Sequence, residues 1–91
     1  MQAKPANAKQ ANEEQLRMVL ADVLGLEVSA INETTSVDTV KQWDSLKHLN
    51  LVLALEEKFN IALTEEQTVE ILSYSIIKAV LQEHGVSFQD G

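Results

Sequence analysis

The sequence predicts an all-α fold: a small antiparallel four-helix bundle with three main helices, one short third helix and a long loop between helices one and two. Apolar residues recur at helical spacing in three separate segments. The chain has 91 residues, which is enough for one domain. It contains 3 glycines and 1 proline, too few for the many turns of a sandwich or barrel. We expect residues 12–86 to form the domain, between a disordered tail (1–11) and a flexible tail (87–91).

Helix one is predicted to begin at Asn12, a residue type that caps helices. Its apolar positions follow the i, i+3, i+4, i+7, i+8 pattern of one helical face: Leu16, Val19, Leu20, Val23 and Leu24. Gly25 follows, where a left-handed cap is expected. Periodicity is then lost over residues 26–44, so we predict a long loop that is held by its own apolar side chains: Leu26, Val28, Ile31, Val37, Val40 and Trp43.

Helix two, predicted from Ser45 to Asn60, has an unusually wide apolar arc. One strip of this arc consists of Leu51, Val52, Leu55 and Phe59, and a second strip beside it consists of Leu46, Leu49 and Leu53. Glu56 falls within the second strip, and a lone carboxylate is costly to bury. We therefore expect the first strip in the core and the second at the surface, as a candidate partner site.

Two further helices are predicted after helix two. Thr64 and Gln67 form a capping-box pattern that starts the short third helix, from Glu65 to about Leu72. Ser73 is expected to cap helix four, which ends near His84 and Gly85. The predicted inner face of helix four consists of Ile76, Ile77, Val80 and Leu81.

The charge of the chain excludes several classes of partner. It has 14 acidic and 7 basic residues, a net charge of -7. An acidic surface repels nucleic acid and anionic lipid and attracts basic protein partners. The longest apolar run, Leu51–Leu55, is too short for a membrane span, so we expect no membrane insertion. The N-terminal residues are positive but lack an apolar segment, so we do not expect them to act as a secretory signal. We expect a cytoplasmic monomer that binds no nucleic acid.

The side chains available for catalysis are few. His48 lies three residues after Ser45 on the same side of helix two, so a Ser–His hydrolase is one interpretation. Such a site also needs an orienting acid, an oxyanion hole and a dry cleft, which a short bundle rarely provides. We therefore predict no catalytic residue and no metal site, with His48 at the surface.

The segment Asp44-Ser45-Leu46 stands at the start of helix two. Asp44 or Ser45 could simply be the N-cap of this helix. The first turn also presents unpaired N–H groups and the positive end of the helix dipole, which favour a phosphate. Since the chain has no cysteine, thiol chemistry at this corner would require an attached group.

Residues 43–67, WDSLKHLNLVLALEEKFNIALTEEQ, resemble the central segment of an acyl carrier protein. The Asp-Ser-Leu motif precedes an apolar helix that ends Ala-Leu-Glu-Glu-Lys-Phe, and the resemblance covers about residues 12–84. It implies a non-catalytic carrier in which a 4'-phosphopantetheine arm from coenzyme A is attached to Ser45. The terminal thiol of the arm carries acyl groups as thioesters between enzymes.

The same resemblance implies roles for other residues. Asp44 and Leu46 flank the serine and are read by the phosphopantetheinyl transferase. Acyl-loading, acyl-transfer or condensing enzymes with basic patches dock on helix two, here at Lys47, Leu49, Leu53, Glu56 and Glu57. Family positions that shelter a bound acyl chain correspond to Leu63, Ile71 and Ile77, for which a plain core role is also open.

Two departures from fatty-acid-synthesis carriers concern the start of helix two. Lys47, His48 and Asn50 occupy a stretch that is usually more acidic, and Trp43 replaces a small residue. We therefore predict a freestanding carrier for fatty-acid-like, polyketide-like or other specialised biosynthesis. The alternatives are an aminoacyl or peptidyl carrier with the same arm, and a helical protein-interaction module in which Ser45 is an ordinary cap.

Overall fold

The computed structural model describes residues 5–88, with side chains described from residue 11 onward. In this range four α-helices follow one another: α1 (Pro5–Leu24), α2 (Ser45–Phe59), α3 (Glu65–Glu70) and α4 (Tyr74–Glu83). A 3₁₀ turn, Val28–Ala30, lies in the loop between α1 and α2. The predicted all-α bundle with a short third helix is confirmed.

The predicted start of helix one was wrong, because α1 begins at Pro5 rather than at Asn12. Proline suits a first helical position, where its missing N–H costs nothing, and the Ala, Lys and Gln that follow are good helix formers. Asn12 lies inside α1, and its side-chain Nδ2 donates to the carbonyl of Ser87. Residues 5–11 of the predicted tail are therefore helical, whereas residues 1–4 lie outside the described residues.

The predicted boundary at residue 86 was placed too early. Phe88 is buried, and its ring centroid lies 6.5 Å from that of Phe59 at the end of α2. The chain reaches this position after turning at Gly85, where the Val86 N–H donates to the carbonyl of Leu81. Ser87 and Phe88 therefore pack with the domain, and residues 89–91 lie outside the described residues.

The core lies between the apolar faces of the helices. The face predicted for α1 is confirmed, with Val23 half-buried and the other four residues buried, and Gly25 has the expected left-handed φ of 71°. On α2, Leu51, Val52 and Leu55 are buried as predicted, and Phe59 is half-buried. On α4 the prediction was wrong at Ile76, which is exposed, because the fully buried Tyr74 takes the inward position at the start of this helix.

The loop between α1 and α2 is pinned to the connection between α3 and α4. Ile31, Val40 and Trp43 are buried as predicted, whereas Val28 is exposed. The Val37 N–H donates to the Leu72 carbonyl (3.0 Å) and the Tyr74 N–H to the Thr35 carbonyl (2.8 Å). These backbone bonds hold the middle of the loop against the residues that join α3 to α4.

A polar cluster joins α1 to α4. The Tyr74 hydroxyl donates to Glu13 Oε2 (2.6 Å), and Lys78 Nζ lies 3.2 Å from the same oxygen. Burial by itself would raise the pKa of Glu13, but the hydrogen bonds from Tyr74 and Lys78 outweigh it and lower that pKa. Burial, together with the hydrogen bond to Glu13, raises the pKa of Tyr74 to about 12.

Among residues 5–88, none of the helices has both the length and the apolarity that crossing a membrane would require.

Candidate functional site

Ser45 is exposed and is the first residue of α2. Asp44 is the N-cap: its backbone is extended, and its side-chain Oδ1 accepts from the Lys47 N–H (2.9 Å). The Asp44 carbonyl accepts from the His48 N–H (2.8 Å), which closes the first helical turn. The alternative that Ser45 is an ordinary cap was therefore wrong, because Asp44 performs that function.

His48 joins the loop, α2 and α3, and is half-buried rather than a free surface residue as predicted. Its Nδ1 accepts from the indole Nε1–H of Trp43 (3.1 Å), and its Nε2 lies 2.6 Å from the carbonyl oxygen of Thr68. An indole N–H can only donate and a carbonyl can only accept. His48 is therefore neutral in this arrangement, with its proton on Nε2.

The same two hydrogen bonds argue against a Ser–His hydrolase. A general base must be able to accept the serine proton through a free ring nitrogen. In His48, Nδ1 already accepts from Trp43, and Nε2 donates to Thr68. His48 therefore links the loop, α2 and α3, and it is not positioned as a general base for Ser45.

An open cleft of about 500 Å³ lies beside Ser45. Its lining comes from the loop, the start of α2 and the α3 region: Val37, Trp43, Asp44, Ser45, His48, Val69 and Leu72. Most of these side chains are apolar, and Val69 and Leu72 are themselves exposed. The cleft can therefore receive an apolar group that is attached at Ser45.

The predicted docking strip of α2 lies at the surface. Leu46 is 65% exposed, and Leu49 and Leu53 are each 56% exposed. Glu57 is also exposed, and Lys47 is half-buried. Such a row of exposed leucines beside charged residues suits contact with another protein.

Glu56 has a structural contact that the sequence did not reveal. It is half-buried, and its Oε2 accepts from the Leu63 N–H (2.9 Å). This bond ties the loop that follows α2 back onto the helix. Glu56 therefore stabilises the chain itself, in addition to contributing negative charge to the α2 surface.

The three predicted acyl-pocket residues lie in or against the packed core. Ile71 and Ile77 are buried in the hydrophobic core, and Leu63 is half-buried and packs against that core. The cleft beside Ser45 is lined by other residues. In this structure the plain core role accounts for the positions of all three.

Sequence reasoning missed the contacts between His48 and its two partners, as well as the place of Val69 and Leu72 in the cleft. Trp43 and His48 lie on either side of the Asp-Ser-Leu motif, so their spacing was a usable signal. The partner on α3 is the backbone carbonyl of Thr68, which any residue type could supply. In the part of the chain that the structure describes, no group of three His, Asp or Glu residues could hold a metal ion.

The sequence is similar to those of several carrier proteins. A family profile described as a phosphopantetheine attachment site matches residues 14–75. The acyl carrier protein of Buchnera aphidicola subsp. Baizongia pistaciae is 32% identical over 73 residues, covering 79% of this chain and 92% of that protein. That of Chlamydia felis is 30% identical over 59 residues (65% and 76%), and that of Clostridium acetobutylicum is 29% identical over 72 residues (78% and 92%). The profile match includes Ser45 and every residue that lines the cleft.

Proposed function

Because this chain belongs to the acyl carrier protein family, whose prosthetic group is 4'-phosphopantetheine, we propose that Ser45 carries this group and that the chain delivers acyl thioesters between enzymes. The observation that carries the proposal is the exposure of Ser45 as the first residue of α2, with Asp44 as the cap. The serine hydroxyl is thereby free to form a phosphodiester. The chain itself is a carrier and not a catalyst.

The residues around Ser45 prepare it for modification. When bound, the prosthetic group supplies the thiol that the chain lacks. Asp44 holds the first turn through Lys47, so that the Ser45 hydroxyl is presented at a fixed corner. The positive end of the α2 dipole favours the phosphate charge at this corner. Leu46 lies exposed beside Ser45, where a phosphopantetheinyl transferase can read it.

Partner enzymes dock, in this proposal, on the exposed strip of α2. Leu46, Leu49 and Leu53 supply apolar contact area, and Glu57 adds negative charge to the same helix. A partner with Lys and Arg around an apolar depression would complement this surface. Lys47, a base in a stretch that is acidic in fatty-acid-synthesis carriers, favours enzymes of a polyketide-like or other specialised pathway.

Intact-mass measurement tests the attachment. Incubation with coenzyme A and a broad-range phosphopantetheinyl transferase should add the mass of one arm to the wild-type protein and none to Ser45→Ala. Ser29→Ala is the matched control, since Ser29 is also exposed but lies in the 3₁₀ turn, and it should be modified like the wild type. A wild-type protein that several such transferases leave unmodified would instead support a helical interaction module.

A further inference from the structure

We propose that His48 is a positioning residue for the attachment of the arm at Ser45: as a neutral imidazole it holds Trp43 against the start of α2, and on protonation it releases Trp43. This inference rests on the proposed function of Ser45. The contacts that carry it are the two hydrogen bonds of His48, to Trp43 on one side and to Thr68 on the other.

The end of α3 leaves the backbone carbonyl of Thr68 without the hydrogen bond that a longer helix would give it. In a longer helix its carbonyl would accept from the Leu72 N–H, but α3 ends at Glu70 and the Leu72 N–H donates to Glu70 instead (2.8 Å). Helix ends leave carbonyls that need a partner. His48 Nε2 supplies that partner at 2.6 Å, so a side chain of α2 completes the end of α3.

The indole N–H of Trp43 also has its hydrogen-bond partner on His48. Trp43 is 6% exposed, and the Nε1–H is the one polar group of its side chain. A buried donor that loses its partner costs free energy. The two rings are also stacked, with centroids 6.2 Å apart and planes 25° apart. Together they form one wall of the cleft beside Ser45.

Protonation of His48 affects its two contacts differently. An imidazolium donates from both nitrogens, so the Thr68 contact is kept, whereas Nδ1–H would point at the Trp43 N–H. Histidine side chains change charge between about pH 5 and 8. The other charged side chains on the adjoining elements are the following: in the loop Glu27, Glu33, Asp38, Lys41 and Asp44, on α2 Lys47, Glu56, Glu57 and Lys58, and on α3 Glu65, Glu66 and Glu70. Of these, Asp44 is the one that lines the cleft.

Two substitutions separate the contacts of His48. His48→Asn places an amide oxygen near the position of Nδ1 and can keep the acceptor for Trp43. His48→Gln places an amide near the position of Nε2 and can keep the donor for Thr68 while losing the Trp43 contact. Neither side chain titrates, so both should remove the effect of pH. His84→Gln is the matched control, because it removes the other of the 2 histidines, which contacts Gln67.

The first measurement is the fluorescence of Trp43, the single tryptophan of the chain, titrated from about pH 8 to pH 5.5. We expect one transition in the wild type and in His84→Gln, and none in His48→Gln or His48→Asn. A transition of the same size in His48→Gln would overturn the proposal. This measurement needs no arm, so it tests the His48 link even if the proposed function fails.

The second measurement is a competition for arm attachment, in which wild type and variant share one transferase and intact mass reports the modified fraction of each. Sharing the enzyme cancels its own pH dependence. At pH 8 the wild type should outcompete His48→Gln by about two- to tenfold, the factor that corresponds to one hydrogen bond, and match His48→Asn. Towards pH 6 the modified fraction of the wild type should no longer exceed that of His48→Gln. It should also fall below the modified fraction of His48→Asn.

The outcomes of the competition are distinguishable. A wild-type advantage over His48→Gln that is the same at every pH would overturn the positioning role, as would a pH-dependent ratio against His84→Gln. If the wild type accepted no arm at all, the proposed function would fail, and the positioning role would fall with it. Circular dichroism shows whether both His48 variants fold. If the His48 variants do not fold, the fluorescence titrations of the wild type and His84→Gln test the proposal instead. The absence of a transition in either protein would overturn it.

Discussion

At the scale of single residues, Leu49 and Leu55 belong to the same helix but to opposite environments. Leu55 is fully buried between the helices, whereas Leu49 is 56% exposed on the proposed docking strip. Leu55→Ala should lower the free energy of unfolding by about 2–5 kcal/mol, because it removes buried methyl groups and leaves a cavity. Leu49→Ala should change it by less than about 0.5 kcal/mol. Urea unfolding of both variants checks this, and equal losses would mean that the two strips of α2 are assigned wrongly.

At the scale of elements, the contact between α1 and α4 depends on Glu13. Its carboxylate accepts hydrogen bonds from Tyr74 and Lys78, and its pKa is lower than its ordinary value of 4.5. A lowered pKa in the folded state means that the stabilisation is present above the ordinary pKa and is lost as the pH falls through the lowered one. The bundle should therefore lose part of its stability in acid through this one residue.

Glu13→Gln tests that dependence against Glu14→Gln, its exposed neighbour on α1. At pH 7, Glu13→Gln should lower the free energy of unfolding by about 1–3 kcal/mol, since hydrogen bonds to a charged group are lost. The deficit should shrink as the pH is lowered below 4.5, where the wild type loses the same charge. Urea unfolding at several pH values measures it. A deficit that stays constant with pH, or an equal one in Glu14→Gln, would contradict the argument.

At the scale of the whole molecule, the net charge of -7 should steer basic partners towards the carrier. Glu57→Lys is the clean test, because Glu57 is exposed, whereas reversing Glu56 would also break its bond to the Leu63 N–H. We expect Glu57→Lys to slow transfer to partner enzymes without changing stability. Added salt should slow the wild type more than this variant, because salt screens the attraction.

Lys47→Asp makes the opposite change on the same helix, and it should improve acceptance by general fatty-acid-synthesis enzymes. Transfer rates measured against salt concentration for the wild type, Glu57→Lys and Lys47→Asp decide between these effects. A flat salt response in the wild type would remove charge steering and leave recognition to Leu46, Leu49 and Leu53.

Much of the fold could be predicted because its signals are local in the chain. The caps at Thr64 and Ser73 and the capping box at Gln67 appear in the structure as predicted, since each involves residues three positions apart. At α2 the sequence left Asp44 and Ser45 open as caps, and the cap is Asp44. The buried and exposed strips of α2 follow from helical periodicity in the same way. The family also followed from local order, because its motif and the helix behind it are contiguous.

The sequence by itself therefore determined the number and order of the helices, the caps of α3 and α4, the exposed corner at Ser45 and the family. The tertiary structure decided which residues those helices contact. Tyr74 reaches Glu13 across 61 residues, and Phe88 meets Phe59 from beyond the predicted domain end. His48 became a link between elements through the backbone carbonyl of Thr68, a group that every residue carries. Periodicity and capping act over one or two helical turns, so they show which face is buried. They do not show which distant side chain or backbone group that face will meet.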